Sequence, residues 1–174
     1  MRSLDTVRLR VMIGWLGMSL AWIVLILSLA YGFGFPPSIS ATYYYAPCIT
    51  PFMIILGSAG LMLCCYRGYS LGDDIINTIT GIAALCICLF PCAATSLLYV
   101  GTFVIPTAIS GIIHNISAAI FFGLLAYNSF FLFTKSDPTV PMTKNKEKRN
   151  IIYRICGIGM ALSFILLFLP AFFY

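Results

Sequence analysis

Charged side chains in this chain are confined to three segments, residues 2–10, 67–74 and 135–154. The two uncharged stretches between them are each long enough for at least two helices of about 20 residues, the length that crosses a bilayer. Glycine and proline residues divide these stretches, and a further apolar stretch follows the last charged segment. The pattern predicts an all-α, polytopic bundle of five transmembrane helices, at about residues 11–33, 49–66, 75–92, 107–134 and 151–173.

Composition places the whole chain in the membrane class. Hydrophobic residues make up 61% of the chain, charged residues make up 9%, and the mean hydropathy is +1.01. Soluble domains contain about 25% charged residues, so a soluble fold is excluded. We find no internal repeat and expect one transmembrane domain over residues 1–174. The stretch at 93–105 would add a sixth span only by re-entering the membrane.

The basic residues predict the orientation, because Lys and Arg are retained on the cytoplasmic side during insertion. A cytoplasmic N-terminus and an outer C-terminus place all basic and all acidic residues on the inner side. We therefore expect the net charge of +5 to face lipid headgroups, and we expect no nucleic-acid partner. The basic residues are Arg2, Arg8, Arg10, Arg67, Lys135, Lys144, Lys146, Lys148, Arg149 and Arg154.

A hydroxyl-rich segment, "SISATYYYAPC" at residues 38–48, follows the first predicted helix. The flanking prolines predict an ordered, non-helical cap, and His114 is expected at the same outer level. We predict an uncharged outer pocket that binds a ligand. Its candidate residues are Ser38, Ser40, Tyr44, Tyr45 and His114. The alternative for the histidine is a packing role, in which the buried imidazole only satisfies neighbouring polar groups.

A second group of candidates lies at the inner ends of the helices. Arg67 and Arg154 are expected near Asp73 and Asp74, where they would form an ion-pair network or hold a lipid phosphate. The two aspartates favour a helix cap, because acids complement the positive end of a helix. A divalent-cation site is the alternative, although two adjacent carboxylates lack the further ligands that such a site needs.

The sequence lacks the motifs of the common catalytic and metal sites. There is no CxxC, HExxH, GxSxG or GxGxxG, so we expect no metal and no cofactor. A disulfide between Cys48 and Cys92 stays open, because both lie near the outer ends of predicted helices. Most of the seven cysteines are expected to be small packing residues.

Several short motifs occur in a defined order from Ser38 onward. They are "SIS" followed two residues later by "YYY", then "YRGYSLGDDIINTITGIAAL", "LFP", "IHNISAAIFF", "FLFTKS" and "KRNIIYRICGIGM". This order resembles a family of uncharacterised small bacterial integral membrane proteins, a domain of unknown function, and is distantly similar to the DRAM-type membrane families. The resemblance implies a multi-helix protein of the bacterial cytoplasmic membrane, without an established reaction. Its motifs match Ser38, Ser40, Tyr44, Arg67, Gly68, Asp74, His114 and Arg154.

Three functions remain open. The first is a non-enzymatic protein that binds membrane lipid or another hydrophobic ligand, or that packs as a homo-oligomer. The second is a channel or transporter for a neutral or hydrophobic solute, which requires a continuous polar path across the bundle. The third is an outer-leaflet enzyme in which His114 acts as general base for a serine or tyrosine hydroxyl, which requires hydrogen-bond contact between the two groups.

Overall fold

The structure, a computed structural model, describes residues 4–135, 141 and 143–173. Within those residues it contains five helices that are long and apolar enough to span a membrane, so the predicted helical bundle is confirmed at this level. A π-helical segment, Asn128–Leu132, directly continues the fourth helix. The helices are α1 (Leu4–Ala30), α2 (Ala46–Cys65), α3 (Leu71–Leu89), α4 (Thr107–Tyr127) and α5 (Lys144–Phe173).

Helix α1 ends earlier than the sequence predicts, at Ala30 rather than at Phe33. Gly32 adopts the left-handed conformation, with φ of +78°. Its amide donates to the Leu29 carbonyl at 3.2 Å, and the Phe33 amide donates to the Ser28 carbonyl at 3.0 Å. These two bonds are those of a Schellman cap, which ends a helix at a glycine. The helix therefore stops before the proline pair on which the prediction relied.

Helix α3 begins four residues before the predicted start, at Leu71. Ser70 has extended backbone, and its hydroxyl accepts a hydrogen bond from the Asp73 amide at 3.3 Å. A serine in this position satisfies one of the free amides at a helix start. The helix ends at Leu89, shortly before Pro91, so the predicted end at residue 92 is three residues too late.

Each helix packs antiparallel against the helix that precedes it in the chain. At one end, Arg10 near the start of α1 donates to the Tyr66 hydroxyl just after α2, at 2.7 Å. At the same end, Lys135 after the π-helical segment pairs with Asp73 at the start of α3. We call this the aspartate end of the bundle.

The opposite end of the bundle carries the two longer connections. Residues 40–44 form a 3-10 helix, which corrects the prediction of a non-helical cap. Residues 93–105 contain no membrane-spanning helix. Instead, Tyr99–Val100 pairs antiparallel with Ile105–Pro106 as a short hairpin. We call this the histidine end, because His114 in α4 lies beneath these connections.

An apolar core separates the two ends. Its fully or nearly fully buried members include Val24, Phe52, Ala84 and Phe121. The α2–α3 contact is especially close at Gly81, where a Cβ atom would lie 2.5 Å from the Gly60 carbonyl oxygen. The glycine at this position therefore sets the distance between the two helices.

Candidate functional site

The imidazole of His114 is held between a loop and the 3-10 helix. It is 3% exposed, with Nδ1 2.8 Å from the Phe90 carbonyl oxygen and Nε2 3.0 Å from Ser40 Oγ. A carbonyl oxygen only accepts hydrogen bonds, so Nδ1 carries the proton in this contact. In the neutral ring Nε2 is then an acceptor, and the Ser40 hydroxyl donates to it.

Three polar residues on one face of α4 fix the loop that follows α3. The Ser110 hydroxyl donates to the Pro91 carbonyl at 2.7 Å, and Thr107 Oγ1 accepts from the Ala94 amide at 3.0 Å. His114 binds the same loop one turn further along the helix. The spacing of three and four residues places these side chains on a single helix face. The loop is therefore positioned by α4 rather than by its own secondary structure.

An open cleft of about 450 Å³ lies beside the histidine, between the 3-10 helix and this loop. Tyr44 donates a hydrogen bond across it to the Cys92 carbonyl. Burial raises the pKa of Tyr44 to about 12, so the hydroxyl stays protonated and keeps donating at neutral pH. Tyr45 stacks on Phe33, with ring centroids 4.7 Å apart. The cleft is lined by Ala41, Tyr44, Tyr45, Cys92, Ala93, Ala94, Thr95, Ser96 and Leu97.

The five residues predicted for an outer pocket separate into three positions. Tyr44 and Tyr45 line the cleft. Ser40 and His114 form the hydrogen-bonded pair beside it. Ser38 is exposed, and its hydroxyl accepts a hydrogen bond from the amide three residues further on, at 3.1 Å. The Ser38 side chain thus binds a backbone amide of the 3-10 helix and does not line the cleft.

At the aspartate end, the two adjacent acids bind backbone amides before α3. Asp74 Oδ1 accepts from the Gly68 amide at 2.6 Å, and Asp73 Oδ2 accepts from the Tyr69 amide at 3.0 Å. Gly68 is required here, because a Cβ atom would lie 2.2 Å from that of Asp73. The two carboxylates therefore bind amides that precede the helix, while the Asp73 amide at the helix start is bound by the Ser70 hydroxyl.

Basic partners of these acids differ in part from those that the sequence suggests. Arg67 pairs with Asp74 at 3.4 Å, as expected. Asp73 pairs with Lys135 at 2.6 Å, whereas Arg154 has no ion pair among the described residues. Its guanidinium instead lies 6.0 Å from the centre of the Phe130 ring. The prediction that Arg154 joins the aspartate pair is therefore wrong.

Two contacts of polar side chains near the aspartate end were not predicted from the sequence. Arg10 lies over the rings of Tyr66 and Phe133, at 5.6 and 5.1 Å from their centres. The Asn128 side-chain amide lies 3.5 Å from Thr80 Oγ1, and both residues are fully buried. Polar residues recur at helical spacing on α3, which indicates that Thr80 faces a neighbouring helix. The sequence does not identify Asn128 as its partner.

An apolar layer separates the polar groups of the two ends. Along α3, Ala84 lies between Thr80 and the loop at the histidine end, and along α4, Phe121 lies between Asn128 and His114. Both Ala84 and Phe121 are buried in the apolar core. Among the described residues, Ala84 and Phe121 therefore interrupt the polar groups along α3 and along α4.

All seven cysteines are free thiols. Cys48 is buried, with its sulfur 3.5 Å from the Val24 carbonyl oxygen, so it packs against α1 rather than bonding to Cys92. Burial raises the pKa of the Cys92 thiol. In the part of the chain that the structure describes, no three His, Cys, Asp or Glu side chains are grouped to hold a metal ion.

Comparison with known proteins assigns no relative. No family model, no curated protein and no solved structure matches the chain. The resemblance to small bacterial membrane proteins stays a prediction.

Proposed function

We propose that this is a membrane-embedded binding protein that holds an amphiphile with an uncharged headgroup in the cleft at the histidine end. The observation that carries the proposal is the cleft itself. Its volume of about 450 Å³ is in the range of sites for small organic ligands, about 300–1,000 Å³. None of its lining residues is charged.

The lining favours a ligand that is apolar over most of its length and polar at one end. Leu97, the alanines and the tyrosine rings supply apolar surface, while Thr95 and Ser96 supply hydroxyl groups. Both hydroxyl residues are exposed, so they are accessible to a ligand from the membrane surface. Neutral headgroups with hydroxyl or ester oxygens match these donors and acceptors, whereas a phosphate would find no basic side chain in the cleft.

Charge distribution supports placing the cleft on the outer side of the membrane. The aspartate end carries the described basic residues near the start of α1, between α2 and α3, and around the start of α5. The positive-inside rule assigns this end to the cytoplasm. A ligand would then enter the cleft from the outer leaflet. The apolar layer at Ala84 and Phe121 favours binding at one end over conduction across the bundle.

The test is photolabelling of the purified full-length protein in nanodiscs with a diazirine-bearing diacylglycerol. We expect labelling of the 92–97 segment and a loss of that labelling in Ser96→Trp, which fills the cleft. Leu98→Trp is the matched control, because Leu98 is 82% exposed and is not part of the lining. Competition by unlabelled diacylglycerol but not by phosphatidylglycerol would support the neutral headgroup.

Two results would contradict the proposal. One is uniform labelling of all lipid-facing helices, with no difference between Ser96→Trp and wild type. The other is solute flux through the purified protein in sealed vesicles, combined with absence of cleft labelling. The second result would favour a channel formed by several protomers, since one protomer contains an apolar layer.

A further inference from the structure

Ser40, His114 and the Phe90 carbonyl form a hydrogen-bonded relay next to the residues that line the cleft. We propose that Ser40 is a nucleophile activated by His114, and that it cleaves the ester bond of an acylated amphiphile. The choice of substrate rests on the proposed function, whereas the relay itself rests on its own geometry.

The direction of the two hydrogen bonds suits a general base. The Phe90 carbonyl holds the proton on Nδ1, which leaves the Nε2 lone pair directed at the Ser40 hydroxyl, 3.0 Å away. This is the contact that a base needs in order to take the proton of a nucleophile. A backbone carbonyl here orients the imidazole, the role that a carboxylate has in a Ser-His-Asp triad.

Exposure of the two side chains differs in the way that catalysis requires. His114 is buried, at 3% exposure, so its ring is fixed, whereas Ser40 is half-buried. Ser40 directly precedes Ala41 in one wall of the cleft, and Phe90 precedes Cys92 in the other. The relay therefore joins the two walls between which a ligand would lie.

Other serines at the histidine end do not have this arrangement. The Ser110 hydroxyl donates to the Pro91 carbonyl, and the Ser38 oxygen accepts a hydrogen bond from an amide. Neither has an imidazole partner among the described contacts. Ser38, in the same segment and two residues away, thus provides a matched control for Ser40.

The reaction balances with water as the only co-reactant. Ser40 Oγ attacks the acyl carbonyl carbon while its proton passes to His114 Nε2. The ester C–O bond breaks, and the leaving alcohol takes that proton, which leaves an acyl group on Ser40. Water then attacks the acyl-serine, with His114 again taking and returning a proton, and the products are a carboxylic acid and the regenerated hydroxyl.

The experiment uses an alkyl fluorophosphonate on the full-length protein in nanodiscs, followed by intact mass and peptide mapping. Attack by Ser40 forms an O–P bond and releases fluoride and the proton, so the mass rises by that of the probe minus HF. We expect labelling at Ser40 in wild type and in Ser38→Ala, and none in Ser40→Ala. His114→Asn retains a donor for the Phe90 carbonyl but lacks the base, and should label about 10²- to 10⁴-fold more slowly.

A second arm separates this inference from the proposed function. Photolabelling of the cleft by the diazirine lipid should survive in Ser40→Ala, because binding does not need the nucleophile. Cleft labelling without any fluorophosphonate adduct in folded wild type would overturn the relay and leave ligand binding intact. An adduct on Ser40 without cleft labelling would retain the nucleophile and overturn the proposed amphiphile site. Equal adduct formation in wild type and His114→Asn would also overturn the relay.

Discussion

The two ends of the bundle satisfy their polar groups by different means. At the aspartate end, charged side chains pair with each other and with backbone amides, as in the contacts of Asp73 with Lys135 and Tyr69. At the histidine end, the described contacts join neutral groups, as in Ser40, His114 and the Phe90 carbonyl. An ion pair with an exposed partner contributes little and is weakened by salt, whereas a neutral relay depends on fixed geometry and burial.

The largest predicted effect is a difference in the free energy of unfolding between variants of two neighbouring acids. The side chains of Asp73 and its partner Lys135 are 6% and 41% exposed, whereas those of Asp74 and its partner Arg67 are 22% and 74% exposed. Asp73→Ala should lower the free energy of unfolding by about 3 kcal/mol, since it leaves the Tyr69 amide without its charged acceptor and removes the weaker, partly exposed pair with Lys135. Asp74→Ala should cost about 1 kcal/mol. Denaturation by sodium dodecyl sulfate in mixed micelles measures both, and equal losses would contradict the difference in burial.

A smaller loss is expected from the histidine end. His114→Ala leaves the Phe90 carbonyl and the Ser40 hydroxyl without their partner, which should cost about 2 kcal/mol. His114→Asn, which can still donate to the carbonyl, should recover part of that loss. The same denaturation series measures both variants. Wild-type stability of His114→Ala would contradict the prediction, because it would mean that water replaces the imidazole without a loss of stability.

The smallest predicted losses of stability differ between the two ends in how they respond to salt. Arg67→Gln should cost less than about 1 kcal/mol in dilute buffer. That difference should vanish near 1 M salt, where the screening length falls to about 3 Å. Ser40→Ala should cost about 1 kcal/mol at either salt concentration, because its bond joins neutral groups. Thermal unfolding at both concentrations provides the comparison, and a salt-dependent Ser40→Ala effect would show that His114 is charged.

The helical fold was predictable because its signal is local. Uncharged stretches of sufficient length specify membrane-spanning helices one at a time, and the Asp74 contacts with Arg67 and Gly68 join residues only a few positions apart. The end of α1 was misplaced because either a glycine or a proline can end a helix. Gly32 comes before the proline pair in the chain, and the cap that forms there ends α1.

Most residues of the candidate site could be predicted from the sequence, but their positions relative to one another could not. Tyrosine and histidine in an uncharged region mark positions that need partners, yet Ser40 and His114 are 74 residues apart in the chain. Their contact depends on how α3 and α4 pack, which no local pattern specifies. Arg154 shows the same limit, because a helix end can be predicted while the side of the helix that faces a neighbour cannot.

The π-helical segment at the end of α4 also has a consequence for how the chain tolerates length changes. Within Asn128–Leu132 one turn is wider than in an α-helix, and the Phe133 amide bonds to the Asn128 carbonyl five residues back. The wide turn accommodates one extra residue, so that Phe133 as well as Leu132 is buried. Deleting a single residue there would return the helix to regular winding and leave the residues after it in nearly the same position, whereas deleting one residue elsewhere in α4 would rotate everything after it by about 100°. The alignment of Lys135 with Asp73 should therefore tolerate the loss of one residue in this turn but not the loss of one residue elsewhere in α4.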